Sequence, residues 1–217
     1  SLAGAGCLEE TPPDVINDFD ETVPFEPDLE TWARGKVRRD VEKPAGSGEL
    51  LVGTAVGYID GPVGTSMAGF GGRGRGRNTH WSFFIKGTAG FYGLQSVKVV
   101  ALTVGGERMA FVKSPLMSSE SYLTDAIDRH LRTKHSLDLR GRVVTVAGHS
   151  HHATARYWPL PELLGAVGLD SFDAEIAEGA AAAFAEAIAA AFGNQVPGEW
   201  GHASLENWDP DDEVFRD

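Results

Sequence analysis

The densest cluster of chemically able side chains is Gly148-His149-Ser150-His151-His152. Neutral imidazole is a good zinc ligand at about 2.0–2.1 Å. The cluster follows Arg142–Ala147, a Val-rich run that reads as a strand. In an extended backbone alternate residues point to one side, so His149 and His151 are expected to face together. That arrangement serves two ligands of one metal, or one ligand beside a base. A solvated His cluster on a loop satisfies the same spacing equally well, because short His clusters occur without metal.

Other candidates are weaker. The glycine-rich stretch Met67–Arg77 contains Gly-Phe-Gly-Gly-Arg-Gly, a crude match to a dinucleotide fingerprint, but no βαβ unit follows it in register. Its Arg73, Arg75 and Arg77 form a local basic patch that suits phosphate, or more plainly a surface loop. No G-x-S-x-G elbow, no H-E-x-x-H and no cysteine pair is present. The single cysteine, Cys7, has no neighbouring His to activate it. Lys113-Ser114 hints at an amine-activated serine, yet a strand end explains it more simply.

The elements that must position these residues are readable from pattern. Residues 1–48 read as an extended acidic arm, with Pro12, Pro13, Pro24, Pro27 and Pro44, and a short helix over Leu29–Val37 anchored by Trp32. The globular part, 49–217, opens with a strand at Leu50–Ile59. A second strand at Ser96–Val104 and a third at Arg108–Val112 flank Gly105-Gly106, a two-residue turn of type I′ or II′. A helix is predicted over Glu120–Lys134, capped by Ser119. The last helix starts at a cap on Asp170 or Ser171 and ends at Gly193, with Phe172, Ile176, Phe184, Ile188 and Phe192 as one apolar seam. Together these give an α/β layered domain with a mixed or antiparallel sheet and outer helices.

Charge and composition narrow the function classes. The 217 residues carry 31 acids against 19 Lys and Arg, a formal net charge of −12. Nucleic-acid binding is disfavoured, since it calls for a basic surface. The imbalance is concentrated: Glu9 to Glu30 holds acids and no Lys or Arg, and Glu206–Asp217 is also acidic. No run of 18 apolar residues is present to span a bilayer. The start, Ser1-Leu-Ala-Gly-Ala-Gly-Cys7, resembles the end of a bacterial lipoprotein signal with Cys7 as the lipidated residue, although Gly4 stands where such signals prefer Leu.

The order of the pieces resembles the neutral/alkaline ceramidases, over roughly Leu51 to Phe192. Leu51-Val-Gly-Thr-Ala and Tyr58-Ile-Asp-Gly-Pro62 are similar to the family's opening strand and turn. Ser66-Met-Ala-Gly-Phe-Gly71 resembles its Met-x-Gly-Tyr loop, and Thr88-Ala-Gly90 its Thr-Ala-Gly. His149-Ser-His-His-Ala153 is similar to its His-Thr-His-Ser-Gly segment, and the long helix follows in the same place.

The resemblance implies a zinc amidohydrolase that cleaves the N-acyl bond of ceramide-like lipids. It implies His149 as a zinc ligand and His151 as a catalytic proton donor or substrate contact. Within the family a second His, a Glu and a Tyr complete the zinc site from segments beyond the long helix. The expectation is therefore that the site is completed by further C-terminal sequence or by a partner chain; His202 comes too early to serve as that second His. His152-Ala153 in place of Ser-Gly, and a strand end Phe-Val-Lys-Ser-Pro115 where family members usually carry an acidic residue, leave a second reading open: a non-catalytic binding or structural protein with the same fold. A secreted or periplasmic location, lipid-anchored through Cys7, with peripheral membrane contact, goes with the first reading.

Overall fold

The computed structural model describes residues 48–59, 61–69, 78–90, 93–161, 163 and 165–201. The acidic arm with Cys7 and the Leu29–Val37 helix, the arginines at 73, 75 and 77, and His202 lie outside the described residues.

Five strands form one mixed sheet. β1 (Leu50–Ile59), β2 (Gln95–Val104), β3 (Glu107–Ser114), β4 (Val143–Ala147) and β5 (Val196–Pro197) lie in the order β4-β3-β2-β1-β5. Only β3 and β4 run parallel; the other pairs are antiparallel. Gly105 and Gly106 both have positive φ, 57° and 86°, the type I′ geometry that matches strand twist. The parallel pair needs a crossover, and α1 (Ser121–His135) supplies it.

Both helices lie on one face of the sheet. Val97, Val99, Ala101, Ala110 and Val112 point inward and pack with α1 and with α2 (Ala174–Gly193) in one core. α2 sits close to β1 because the contact residues are small. A Cβ on Gly53 would overlap the Ala191 carbonyl, and one on Gly57 would lie 2.8 Å from the Ala187 Cβ. On α2, Ile176, Phe184 and Ile188 are buried and Phe192 packs partly against the core; Phe172, predicted as the seam's first residue, lies just before the helix and packs partly against the same core. By length and composition α2 could cross a membrane, but here its apolar side is part of the core.

Two caps differ from the sequence expectation. Glu120, not Ser119, caps α1: its carboxylate accepts the N–H groups of Tyr122 (2.7 Å) and Leu123 (2.6 Å). Asp173, not Asp170 or Ser171, caps α2 through the Ile176 N–H (3.2 Å). Asp173 also pairs with Arg156 at 3.2 Å, both largely buried. Asp170 is instead buried, and its carboxylate ties two loops together.

Candidate functional site

β4 stops at Ala147, and the Gly148 N–H makes one more bond, to the Ser114 carbonyl (2.9 Å). His149 then adopts a left-handed conformation, φ 53°. The alternation argued from an extended backbone therefore does not reach the His cluster. The two rings still meet: His149 and His151 have centroids 5.0 Å apart at an interplanar angle of 70°. A loop brings them together, not a strand.

His149 is held by its back nitrogen. Nδ1 lies 2.8 Å from the Met117 carbonyl oxygen. A carbonyl only accepts, so Nδ1 carries the proton, and in the neutral ring Nε2 keeps its lone pair. This is the orientation typical of metal-bound His, whose other nitrogen donates to a carbonyl or carboxylate. The carbonyl is positioned in turn by Tyr157, a fully buried side chain. Its hydroxyl accepts from the Ser118 N–H (3.0 Å) and donates to the Ser118 carbonyl (3.2 Å), beside Met117. Burial, against the pull of those Ser118 bonds, pushes the Tyr157 phenol above its ordinary pKa, so it stays protonated as a donor.

His151 is seated on Gly69. Gly69 has φ 86°, and a Cβ there would overlap the His151 ring. Residues distant in sequence meet because the loop 65–69 pairs with 153–155. Ala68 N–H donates to Ala153 O (3.2 Å) and Ala155 N–H to Ser66 O (2.8 Å). Met67 and Thr154 form an isolated bridge. Thus the Met67–Gly69 segment and the His cluster, read separately in the sequence, form one site.

Asp170 holds this loop pair against the rest of the domain. Its carboxylate accepts from Ser66 Oγ (2.8 Å), Phe83 N–H (2.8 Å), Phe84 N–H (2.6 Å) and Ser171 N–H (2.8 Å). Sequence reasoning missed it, since its partners lie far away in the chain and a helix cap was a sufficient local explanation. Ser114 is buried and accepts from the Leu116 N–H (3.1 Å), while Lys113 faces the opposite side of the sheet. The amine-activated serine is thereby excluded.

The pair fits zinc in part. Tetrahedral bonds of about 2.0–2.1 Å would put two ligating ring centroids roughly 5 Å apart, the spacing His149 and His151 show. Among the described residues no group of three or more His, Cys, Asp or Glu side chains converges as a metal site. A catalytic zinc takes about three protein ligands, and the described residues do not bring three together. A cavity of about 320 Å³ reaches the His cluster at His152 and is lined by Met67 and Ala153 together with Thr65, Thr88, Gln95 and Thr154.

No family model matches the chain, and no curated protein matches its sequence. Solved structures do resemble it. A crystal structure of neutral ceramidase from Pseudomonas aeruginosa is 16% identical with a TM-score of 0.53, and a ceramidase complexed with C2 is 16% identical with a TM-score of 0.55. Each comparison covers 70% of this chain and 22% of the other. At that identity the likeness is one of fold, and it extends over about a fifth of those longer chains. The chain has a ceramidase-like fold.

Proposed function

We propose that this chain carries the histidine part of a zinc amidohydrolase acting on the N-acyl bond of ceramide-like lipids. The observation that carries the reading is His149: its Nδ1 proton is spent on the Met117 carbonyl, leaving Nε2 for a metal. The ceramidase-like fold supports the choice of chemistry. Zinc, when bound, polarises an amide carbonyl and activates a water. His149 supplies one ligand. His151, whose ring centroid lies 5.0 Å from that of His149, takes the role of proton donor or substrate contact in this reading, or joins as a second ligand. The described residues do not complete a ligand set, and this reading takes the remaining ligands from further sequence or a partner chain.

The test is hydrolysis of a fluorogenic short-chain ceramide with added zinc. The 217-residue chain should turn over little, and a longer polypeptide that supplies the missing ligands should turn over well. His149→Ala in the longer form should lower kcat/KM by about a hundredfold or more, the loss of a metal ligand. Full zinc-dependent turnover by the short chain would overturn the need for completion. A longer form that binds zinc but hydrolyses no ceramide would favour the non-catalytic reading.

A further inference from the structure

The sheet has a covered face and an open one, and the open face is apolar. The register aligns its side chains in rows. One row is Thr54, Val100, Phe111 and Val144; the next is Val56, Lys98, Lys113 and Val146. Val56 is 55% exposed, Phe111 42% and Val146 57%. An antiparallel sheet that turns one face to water ordinarily alternates apolar inside with polar outside. This one does not, and contiguous apolar surface on that scale marks a place where something docks.

The charges on the face say what kind of partner fits. Lys98 and Lys113 stand directly opposite each other, a destabilising arrangement for like charges. Neither has an acidic partner among the described residues, whereas Arg142 is paired with Glu107 farther along the same face. A matching surface must therefore bring apolar groups together with carboxylates. A second copy stacked face to face would add two more lysines to the pair, and each copy carries a net charge of −12. A segment of this chain has the complementary composition. Residues 9–32, outside the described residues, hold acids from Glu9 to Glu30 without a Lys or Arg, interleaved with Phe19, Phe25, Leu29 and Trp32.

We propose that the segment 9–32 lies across the open sheet face, its carboxylates over Lys98 and Lys113 and its apolar side chains over the surrounding valines. Reach is no obstacle. The chain re-enters the sheet at Leu50, and the residues between Glu30 and Leu50 can span about 60 Å, against a sheet about 20 Å across. Tethering makes the contact intramolecular, at an effective concentration in the millimolar range for a short linker, so modest contacts suffice. Ion pairing of this exposed kind weakens with salt.

Zero-length carbodiimide coupling of the full chain tests it, since the reagent joins an amine only to a carboxylate in contact. Peptide mass spectrometry on mixed light and nitrogen-15 protein should find Lys98 or Lys113 joined to acids within residues 9–30 of the same molecule. Mixed light–heavy links in the statistical proportion of random pairing would assign the face to a second copy and overturn the proposal, as would no link at either lysine. Trypsin gives an independent readout through Arg34, Lys36, Arg38 and Arg39, just beyond the segment. The Lys98→Glu/Lys113→Glu variant should be cut there roughly tenfold faster at low salt, because cleavage tracks the released population. Lys98→Glu alone should move the rate the same way if the double variant does not fold. An unchanged rate in a folded variant contradicts the docking.

Discussion

At His149 a backbone carbonyl gives the ring the orientation that strand alternation was expected to give. The ring is oriented from behind by Met117 O, and that carbonyl is steadied by the Tyr157 hydroxyl on Ser118. Tyr157→Phe leaves both Ser118 backbone groups without that partner and should cost about 1–2 kcal/mol. It should also move the His149 imidazole resonances, which a purely remote packing defect would leave alone. Chemical denaturation and His-selective NMR on the same variant check both.

Asp128 makes a different demand. Its side chain is 8% exposed, with Oδ1 buried and without a hydrogen bond. Burial first, then the Asp125 and Asp138 charges, against Arg132 and Arg140, raises its pKa from 3.8 to about 6. The folded protein therefore holds this proton up to higher pH than the unfolded chain. Stability from this group is present at low pH and falls as pH rises from 3.8 through about 6. Asp128→Asn should stabilise the fold by about 1–3 kcal/mol at pH 8, with much less gain at pH 4. Equal gains at the two pH values in urea unfolding would contradict it.

At the scale of elements, the two helices are fastened by few polar groups. Glu178 on α2 receives Arg129 and, at 2.9 Å, His130 from α1. At the head of α2, Asp173 joins a cap to a largely buried pair with Arg156, which also donates to the Ser171 carbonyl (2.9 Å). Asp173→Ala removes the cap, worth about 1 kcal/mol, and strands a buried guanidinium. The expected loss is about 2–4 kcal/mol by urea unfolding. A loss near the ~1 kcal/mol of the cap alone would mean the ion pair contributes nothing.

The strands and helices were legible because their signals are local: β-branched alternation in 95–104, paired glycines at 105–106, and the four-residue seam of the last helix. The caps were not, because Ser119, Asp170 and Ser171 are as good as Glu120 and Asp173 on residue type alone. Which carboxylate reaches the free N–H groups depends on where the chain turns. The meeting of His149 with His151 was anticipated, but the left-handed turn at His149 was not, since a non-glycine residue gives no warning of positive φ. Asp170 was invisible for the same reason that it matters: its donors at Ser66, Phe83 and Phe84 are brought to it only by the finished fold.

At the scale of the whole molecule, one sheet carries its helices on a single face, and its β4 end leads into the histidine pair. The mixed sheet and its layering followed from the pattern of elements. The bare apolar face did not, since alternation in β2 and β3 reads equally well with Val100 and Phe111 inside or outside. The ceramidase-like fold accounts for the order of the motifs, and it extends over 22% of the longer chains that share it. What separates a partial zinc centre from a solvated histidine pair is whether His149 Nε2 binds metal. Zinc titration of the nitrogen-15-labelled chain, followed by long-range imidazole NMR, reads that atom directly. The expected result is a response at His149 Nε2 with Nδ1 still protonated on Met117, weak in affinity, and lost in His149→Ala. Zinc uptake that leaves the His149 ring unchanged, or that persists undiminished in His149→Ala, would contradict the assignment.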